Sequence, residues 1–275
     1  MNRINRRIGT IALGALASFS GAALAQDASS QSAQDLAKAA QNPIASLISL
    51  PLQNNTNFNV GPLDKTQNVL NIQPVWPLKI NDDWNFITRT ILPVISQPAF
   101  TPQQSRDNGI GDLNFTGFFS PSKSGKWTWG VGPTVVIPTA SDSRLGSDKW
   151  QAGASFVALT QPGDWVVGGL GSNGWSVGGS GDQDVNAMTI QPFINYNFPK
   201  GKGWYLTTSP VITANWEADS SGETWTIPLG GGVGKIFRIG KQPVNAQAGA
   251  YWNVVKPDNG ADWQLRLQLQ LLFPK

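Results

Sequence analysis

The residues that could do chemistry are limited by what this 275-residue chain lacks, since it contains no Cys and no His. Ser-His and Cys-His nucleophile pairs, imidazole proton transfer, Cys-ligated zinc, iron–sulfur clusters and disulfides are therefore excluded. A barrel phospholipase is excluded as well, because it needs a Ser-His pair. We expect no enzyme activity, no catalytic residue, no cofactor and no metal site.

The polar residues that remain are mostly amides and hydroxyls, and they alternate with apolar residues. Along residues 263–273, Gln264, Arg266 and Gln268 lie on one face, and leucines and aromatic residues lie on the other. A period of two predicts a β-strand with one face suited to hydrocarbon and one suited to water.

The same alternation recurs along residues 68–79 and 187–198. The polar face is mostly Asn, Gln, Thr, Ser and Gly, whereas the outer face of a soluble β-sandwich should carry Lys and Glu. This difference favours strands that stand between lipid and a water-filled lumen.

Residues 1–25 have the three regions of a secretory signal peptide: Arg3, Arg6 and Arg7, an apolar stretch, and small residues that end at Ala25. The apolar stretch is too short for a membrane-spanning anchor. Removing three arginines from the 20 basic residues leaves a chain balanced against its 17 acidic residues. We therefore expect export and no binding to nucleic acid.

The composition after residue 25 predicts a transmembrane barrel. Only 13% of the residues are charged, about half of the usual share, and no long uncharged apolar run follows the signal peptide. A bilayer requires every backbone amide to be paired, which for strands means a closed barrel. The mildly negative mean hydropathy of −0.19 agrees, because outward apolar and inward polar residues average out.

Turn signals divide residues 52–275 into about twelve strands, which predicts an all-β, closed antiparallel barrel with both ends on the periplasmic side. The predicted strands are 52–60, 66–79, 84–97, 110–120, 127–139, 150–161, 165–178, 187–198, 204–217, 224–238, 243–256 and 261–273.

Tryptophan placement supports this division, because the indoles fall into two belts where an amphipathic ring prefers to lie in a bilayer. One belt contains Trp76, Trp84, Trp127, Trp165 and Trp204, and the other contains Trp150, Trp216, Trp225, Trp252 and Trp263. The short turns are mainly basic and the longer loops mainly acidic, which supports the same orientation.

Residues 26–51 break the strand pattern and predict a short N-terminal helical segment. Ser32 to Asp35 resembles a capping box, and Asn42-Pro43 interrupts the helical pattern. The apolar residues at helical spacing are Leu36, Ile44, Leu47 and Ile48. A twelve-stranded barrel leaves a bore of about 10 Å, which a helix nearly fills. The segment either plugs the lumen or lies against the barrel rim or membrane surface.

Selectivity must come from inward residues, and charges among them are sparse. The lumen-lining candidates are Arg89, Asp112, Tyr205, Glu217, Tyr251, Gln264, Arg266 and Gln268. A lining of amides and hydroxyls, without a ring of like charge, indicates small neutral or weakly polar solutes. The two arginines could hold an anionic group or pair with the two carboxylates to brace the wall. We favour bracing, because an unpaired buried charge is costly.

Four stretches of the chain resemble a family of bacterial outer-membrane proteins grouped with the transporters of phenol-degradation pathways, some of which carry the label neuromedin U. These stretches are Asn42 to Asn55, Ile72-Gln73-Pro74-Val75-Trp76-Pro77, Gly109 to Leu113, and Gly130 to Ala140. The resemblance implies an outer-membrane barrel that takes up small, often aromatic, compounds. It implies no agreed substrate residues. Such barrels often end on an aromatic residue, whereas here Pro274-Lys275 follows Phe273.

We expect an outer-membrane channel or transporter for passive uptake of small, aromatic or weakly polar solutes. Its expected partners are outer-membrane lipids, the barrel-assembly machinery and those solutes. The alternative is a structural or adhesive barrel with a closed lumen. A secreted carbohydrate-binding β-protein, which would be soluble without detergent, is a third hypothesis.

Overall fold

The computed structural model describes residues 33–274, and they form a closed, twelve-stranded antiparallel barrel with one short N-terminal helix. Each strand pairs with the next along the chain, and the last pairs with the first. The predicted fold class is therefore confirmed. The signal peptide predicted for residues 1–25 and the capping residue Ser32 lie outside the described residues.

The helix α1 spans Ala33–Ala40, and three of the strands are each made of two consecutive parts. The strands are β1 (Ile48–Val60), β2 (Lys65–Ile72 with Val75–Lys79), β3 (Trp84–Gln97), β4 (Asp107–Ile110 with Leu113–Pro121), β5 (Trp127–Ile137), β6 (Lys149–Thr160), β7 (Trp165–Gly179), β8 (Asn186–Asn197), β9 (Trp204–Thr208 with Ile212–Asn215), β10 (Trp225–Ile239), β11 (Gln242–Val255) and β12 (Trp263–Phe273). A 3₁₀ turn, Ser221–Glu223, lies between β9 and β10.

The seam between β1 and β12 closes the barrel. Their register runs from the pair Ile48 and Phe273 to the pair Phe58 and Trp263, whose rings stack with centroids 4.0 Å apart. Because no strand is left with an unpaired neighbour, the barrel has no exposed sheet edge.

The connections form two groups at opposite ends of the barrel. The turn end, where β1 begins and β12 finishes, contains the short connections 80–83, 122–126, 161–164, 198–203 and 240–241. The loop end contains the connections 61–64, 98–106, 138–148, 180–185, 216–224 and 256–262. These eleven connections agree with the prediction of about twelve strands.

The barrel wall is apolar outside, and inside it is polar except near the turn end, where wall residues form two apolar clusters. On β12 the outward Leu267 and Leu269 are 48% and 40% exposed, whereas Arg266 and Gln270 are buried inside. The exposed tryptophans cluster near the two ends, as predicted. They are Trp76, Trp84, Trp127, Trp129, Trp165 and Trp204 near the turn end, and Trp150, Trp175, Trp216 and Trp252 near the loop end.

Among residues 33–274, no helix has the length and apolar character needed to cross a bilayer.

The helix stops earlier and β1 starts earlier than the sequence analysis predicts. Pro43 disfavours a helical conformation at Asn42, whose Oδ1 accepts a hydrogen bond from the Ile44 amide at 3.0 Å. Residues 41–47 therefore form no helix, and Ile48 belongs to β1, where it pairs with Phe273. The barrel begins at residue 48 instead of 52.

Gly234 on β10 makes room for an inward tyrosine on the neighbouring strand. A Cβ at Gly234 would overlap the ring of Tyr205, which is fully buried. The Tyr205 hydroxyl donates to Asn245 Oδ1 at 2.7 Å, and Asn245 Nδ2 donates to Gln270 Oε1 at 3.1 Å. This glycine therefore permits a buried hydrogen-bonded chain that ties β9, β11 and β12 together.

Replacing Gly234 with Ala should destabilise the barrel by about 1–3 kcal/mol, because the added methyl overpacks the ring and displaces the Tyr205 hydroxyl. Guanidinium unfolding in lipid vesicles, followed by tryptophan fluorescence, measures the change. Gly174→Ala is the control, since a Cβ there meets only Gln151 at ordinary distances of 3.4 Å or more. Equal stability of the two variants would contradict this role for Gly234.

Candidate functional site: the barrel lumen

The lumen contains three cavities that follow one another from the turn end to the loop end, and each shares wall residues with the next. The plug chamber, about 150 Å³, adjoins residues 39–47. The middle chamber, about 320 Å³, shares Gln53, Gln73 and Arg89 with it. The outer chamber, about 370 Å³, shares Gln264 and Arg266 with the middle chamber and reaches the loop end. Together they occupy successive levels of the lumen from the turn end to the loop end.

The N-terminal segment, defined as residues 33–47, fills the turn end of this path with apolar side chains. Leu36, Ala37 and Leu47 pack against Ile236 and Leu272 of the barrel wall. Leu36 is 1% exposed, so this helix face is enclosed by the barrel and does not lie on its outer surface.

The second anchor of the segment is Ile44, which is 4% exposed. It packs into a larger apolar cluster inside the barrel. The wall residues of this cluster are Ile87, Phe118, Val157, Leu159, Val166, Leu170 and Phe193. Three of the four predicted plug residues thus lie inside the turn end, and the fourth, Ile48, lies in the wall as part of β1.

Polar contacts hold the N-terminal segment to the adjacent turn and to β8. Gln34 Nε2 donates to Asp164 Oδ1 at 2.6 Å, and Lys38 Nζ donates to the Gly163 carbonyl at 2.6 Å. Gln41 and Asn197 exchange amide hydrogen bonds at 2.9 and 3.1 Å. These contacts and the two apolar anchors hold the segment in place by non-covalent interactions.

The structure brings six of the eight predicted lumen residues onto the walls of the chambers. They are Arg89, Tyr205, Tyr251, Gln264, Arg266 and Gln268. The two carboxylates, Asp112 and Glu217, line none of these three chambers.

Asp112 fixes the loop that connects β5 to β6. Its Oδ1 accepts from the Ala140 amide at 3.2 Å, and its Oδ2 accepts from the amide and the hydroxyl of Ser147 at 2.8 and 3.0 Å. Glu217 is exposed in the loop after β9, because that strand ends at Asn215 instead of continuing to residue 217. Neither carboxylate forms a described ion pair with Arg89 or Arg266.

Arg266 braces a break in the wall. β9 is interrupted between Thr208 and Ile212, where Pro210 has no amide hydrogen to donate. Arg266 Nη1 donates to the free Ser209 carbonyl at 2.8 Å, and the Tyr251 hydroxyl accepts from the Ser209 amide at 3.2 Å.

Other neutral groups complete the environment of Arg266. Its Nε donates to Asn55 Oδ1 at 3.3 Å, its Nη2 donates to Gln264 Oε1 at 3.0 Å, and its guanidinium lies 4.5 Å from the centre of the Tyr251 ring. The predicted bracing through Asp112 or Glu217 is therefore wrong for the described residues, and Arg266 contacts carbonyls and amides of the wall instead.

Replacing Arg266 with Met should destabilise the barrel by about 1–3 kcal/mol, because the Ser209 carbonyl and the Asn55 amide lose their partner. Denaturant unfolding in detergent micelles provides the measurement. Arg89→Met is the control, since the one described hydrogen bond of Arg89 joins its Nη2 to Gln73 Oε1 at 2.8 Å. If Arg89→Met costs as much as Arg266→Met, Arg266 is not a special brace.

Sequence reasoning missed the partners of the arginines, Gln73 and Asn55, and the wall break at Ser209. One signal for the break was present, because Pro210 lies inside a predicted strand and proline interrupts a ladder. Pro192 on β8 and Pro228 on β10 flank the same region. The amide and carbonyl of Ser209 at this break are paired with the inward side chains of Tyr251 and Arg266.

Asp262 lies in the loop just before β12, and at the loop end of the barrel it joins this loop to β1. It accepts from Asn59 Nδ2 at 2.7 Å and lies 3.3 Å from Lys256 Nζ. The hydrogen bonds from Asn59 and Lys256 hold the pKa of Asp262 below its ordinary value.

The lowered pKa gives this tie a pH dependence. Its stabilising effect should be fully present above the unfolded aspartate pKa of about 3.9 and should be lost as the pH falls through the lower folded value. Unfolding of the parent chain and of Asp262→Asn, compared between pH 6 and pH 2, should show a stability difference that shrinks with acid. A difference independent of pH would exclude the tie.

Residues 50–175 match the family model described as "Putative MetA-pathway of phenol degradation". This match confirms the family resemblance predicted from the sequence. A comparison with curated protein sequences finds no match.

Among solved structures, an outer membrane channel from Pseudomonas putida F1 is similar to this chain with a TM-score of 0.61 and 18% identity, covering 82% of this chain and 94% of that chain. The β domain of the Bordetella autotransporter BrkA gives a TM-score of 0.43 at 12% identity, covering 83% and 100%. The outer membrane phospholipase of Salmonella typhi gives 0.43 at 13% identity, covering 83% and 90%. The first of these similarities supports the barrel fold.

Proposed function

We propose that this chain, which matches the phenol-degradation family over residues 50–175, is an outer-membrane channel for passive uptake of small, weakly polar or aromatic solutes. The observation that carries the proposal is a closed barrel with an apolar outer wall around three adjoining chambers, whose polar lining residues are mostly amides and hydroxyls. The name of the similar Pseudomonas putida structure, an outer membrane channel, supports the same function.

In this proposal the turn end faces the periplasm and the loop end faces outside, as short turns and long loops do in bacterial barrels. The exposed tryptophans then lie at the two interfaces of the outer membrane, where lipids contact the apolar wall. The barrel-assembly machinery would insert the exported chain, and small solutes would enter the lumen from the loop end.

The N-terminal segment acts as a plug in this proposal. Leu36 and Ile44 close the turn end. A solute in the plug chamber can leave through the turn end only when the segment moves. The segment is held by two apolar clusters and a few exposed or half-buried hydrogen bonds. Partial release of the segment therefore requires less free energy than separating two paired strands of the wall.

Swelling of liposomes that contain the purified full chain tests the channel function. Sugars, amino acids and aromatic acids of increasing size are added outside, and we expect the smallest solutes to enter fastest. Liposomes without protein and liposomes with boiled protein are the controls. Failure of every solute to enter would contradict the channel.

The second candidate is a structural or adhesive barrel with a closed lumen, and the filled turn end favours it. The two candidates differ in the swelling assay, because a permanently closed barrel admits no solute even though it folds and inserts. Electrophoresis of unheated samples verifies folding independently, since a folded barrel migrates differently from the boiled chain.

A further inference from the structure

The middle chamber carries positive charge that no acidic residue neutralises. Arg89 and Arg266 both lie in its wall, and none of the described residues around it is Asp, Glu or Lys. The other polar residues of the wall are Asn, Gln, Ser and Thr, which carry no net charge. Neither arginine belongs to an ion pair within residues 33–274.

The two arginines differ in how many of their donors are in use. All three guanidinium nitrogens of Arg266 donate to the wall, as described above. Arg89 donates within the described residues only from Nη2 to Gln73, so its Nε and Nη1 hydrogens remain available to the chamber. Arg89 also lies at the boundary between the middle and plug chambers, where a solute must pass.

The chamber has an apolar side as well. The half-buried Ile91 and Val211 line it together with the amides, and the buried Phe118 and Leu170 lie behind them in the cluster that holds Ile44 of the plug. A volume of about 320 Å³ is at the lower end of the range for small-molecule sites. The space therefore fits a small solute with one apolar ring and one polar group.

We propose that the middle chamber is a binding site for small aromatic carboxylates, with the carboxylate on Arg89 and the ring against the apolar side chain of Ile91. This inference rests on the proposed channel function and deepens it by naming the solute class. A guanidinium with free donors recognises a carboxylate through paired, charge-assisted hydrogen bonds, which a neutral alcohol cannot supply. The fixed charge of Arg266 adds to the attraction and repels cations.

Binding of benzoate to the purified full chain in detergent, measured by equilibrium dialysis at neutral pH, tests the site directly. We expect benzoate to bind at least about tenfold more tightly than benzyl alcohol or benzylamine, which share its ring. Arg89→Gln should weaken benzoate binding by about tenfold, as loss of a charged hydrogen bond implies. Arg89→Lys keeps the charge but loses the paired hydrogen-bond geometry, so its benzoate affinity should lie between those of the parent chain and of Arg89→Gln.

Lys235→Gln is the matched control. Lys235 carries the same charge but lies over the ring of Trp204 near the turn end, and it lines none of the three chambers. Its removal should leave benzoate binding unchanged. Equal binding of the three probes, or equal loss in Lys235→Gln and Arg89→Gln, would overturn the site. If Arg89→Gln loses its folded-form gel mobility, Arg89→Lys decides, and benzoate affinity equal to that of the parent would overturn the site.

Reversal potentials in planar bilayers under a KCl gradient separate this inference from the channel function. We expect chloride to be favoured over potassium in the parent chain and the preference to fall in Arg89→Gln. Benzoate binding without conductance would overturn the channel and leave the site intact. Conductance without anion preference and without benzoate binding would overturn the site and leave the channel intact. Absence of both would overturn both.

Discussion

Deletion of residues 33–46 is expected to raise the single-channel conductance several-fold. These residues contribute the helix α1 and Ile44, whose side chains fill the turn end against Ile236, Leu272 and the cluster around Phe118. The barrel wall starts at Ile48, so the deletion leaves every strand intact. Since a bore of about 10 Å is nearly filled by one helix, its removal turns a restricted path into an open one.

Planar-bilayer recordings of the parent chain and the deletion variant measure this effect. Two point variants refine it. Ile44→Asp places a charge in the apolar cluster and should release one anchor, so openings should become more frequent. Lys38→Ala removes only an exposed hydrogen bond to Gly163 and should change the trace little. Identical conductance of the parent and the deletion variant would mean that the segment does not obstruct the path.

Leu269→Arg is expected to destabilise the barrel by about 2–4 kcal/mol, the cost of a charge on the lipid face near the middle of the bilayer. Leu269 is half-exposed on the outer wall of β12, between Leu52 of β1 and Ala246 of β11. The charged side chain would have to reach an interface or thin the bilayer around it.

Gln268→Arg is the matched control, because its side chain is the next along the strand and lines the plug chamber. It should cost far less, since water and neighbouring amides solvate the guanidinium. Guanidinium unfolding of both variants in vesicles, followed by tryptophan fluorescence, gives the two stabilities. Equal costs at positions 268 and 269 would show that the two faces of β12 do not meet different solvents.

The strand pattern could be predicted because each strand separates two solvents. Leu267 and Leu269 alternate with Gln268, so the sequence shows which residues of the strand face lipid and which face the lumen. A shift of the strand by one residue would exchange the two faces. Proline, glycine and charged residues then mark the turns. Closure follows from the bilayer's demand for paired backbone groups, so twelve strands in one chain implied the seam between β1 and β12.

The contacts of the lumen residues could not be predicted in the same way. Whether Arg89 contacts Gln73 or a carboxylate depends on the register between neighbouring strands. The alternation of polar and apolar residues along one strand does not determine that register. Asp112 was expected inside but binds the amides of Ala140 and Ser147, because the loop after β5 folds back onto it. The wall break in β9 moved Glu217 into a loop for a similar local reason.

The segment before the barrel shows how one pattern can have two structural causes. Leu36, Ile44, Leu47 and Ile48 occur at helical spacing, yet only Leu36 lies in α1. Pro43 ends the helical path, and pairing with Phe273 draws Ile48 into β1. The pattern identified buried residues correctly because the interior of the barrel, like the face of a helix, demands apolar side chains.

Electrophoretic mobility of the purified full chain, unheated and boiled in detergent, tests the central claim most directly. A closed barrel whose backbone pairs only with itself should stay compact in detergent and migrate at a different position before boiling than after. Migration at one position in both samples, together with solubility in buffer that lacks detergent, would contradict a transmembrane barrel.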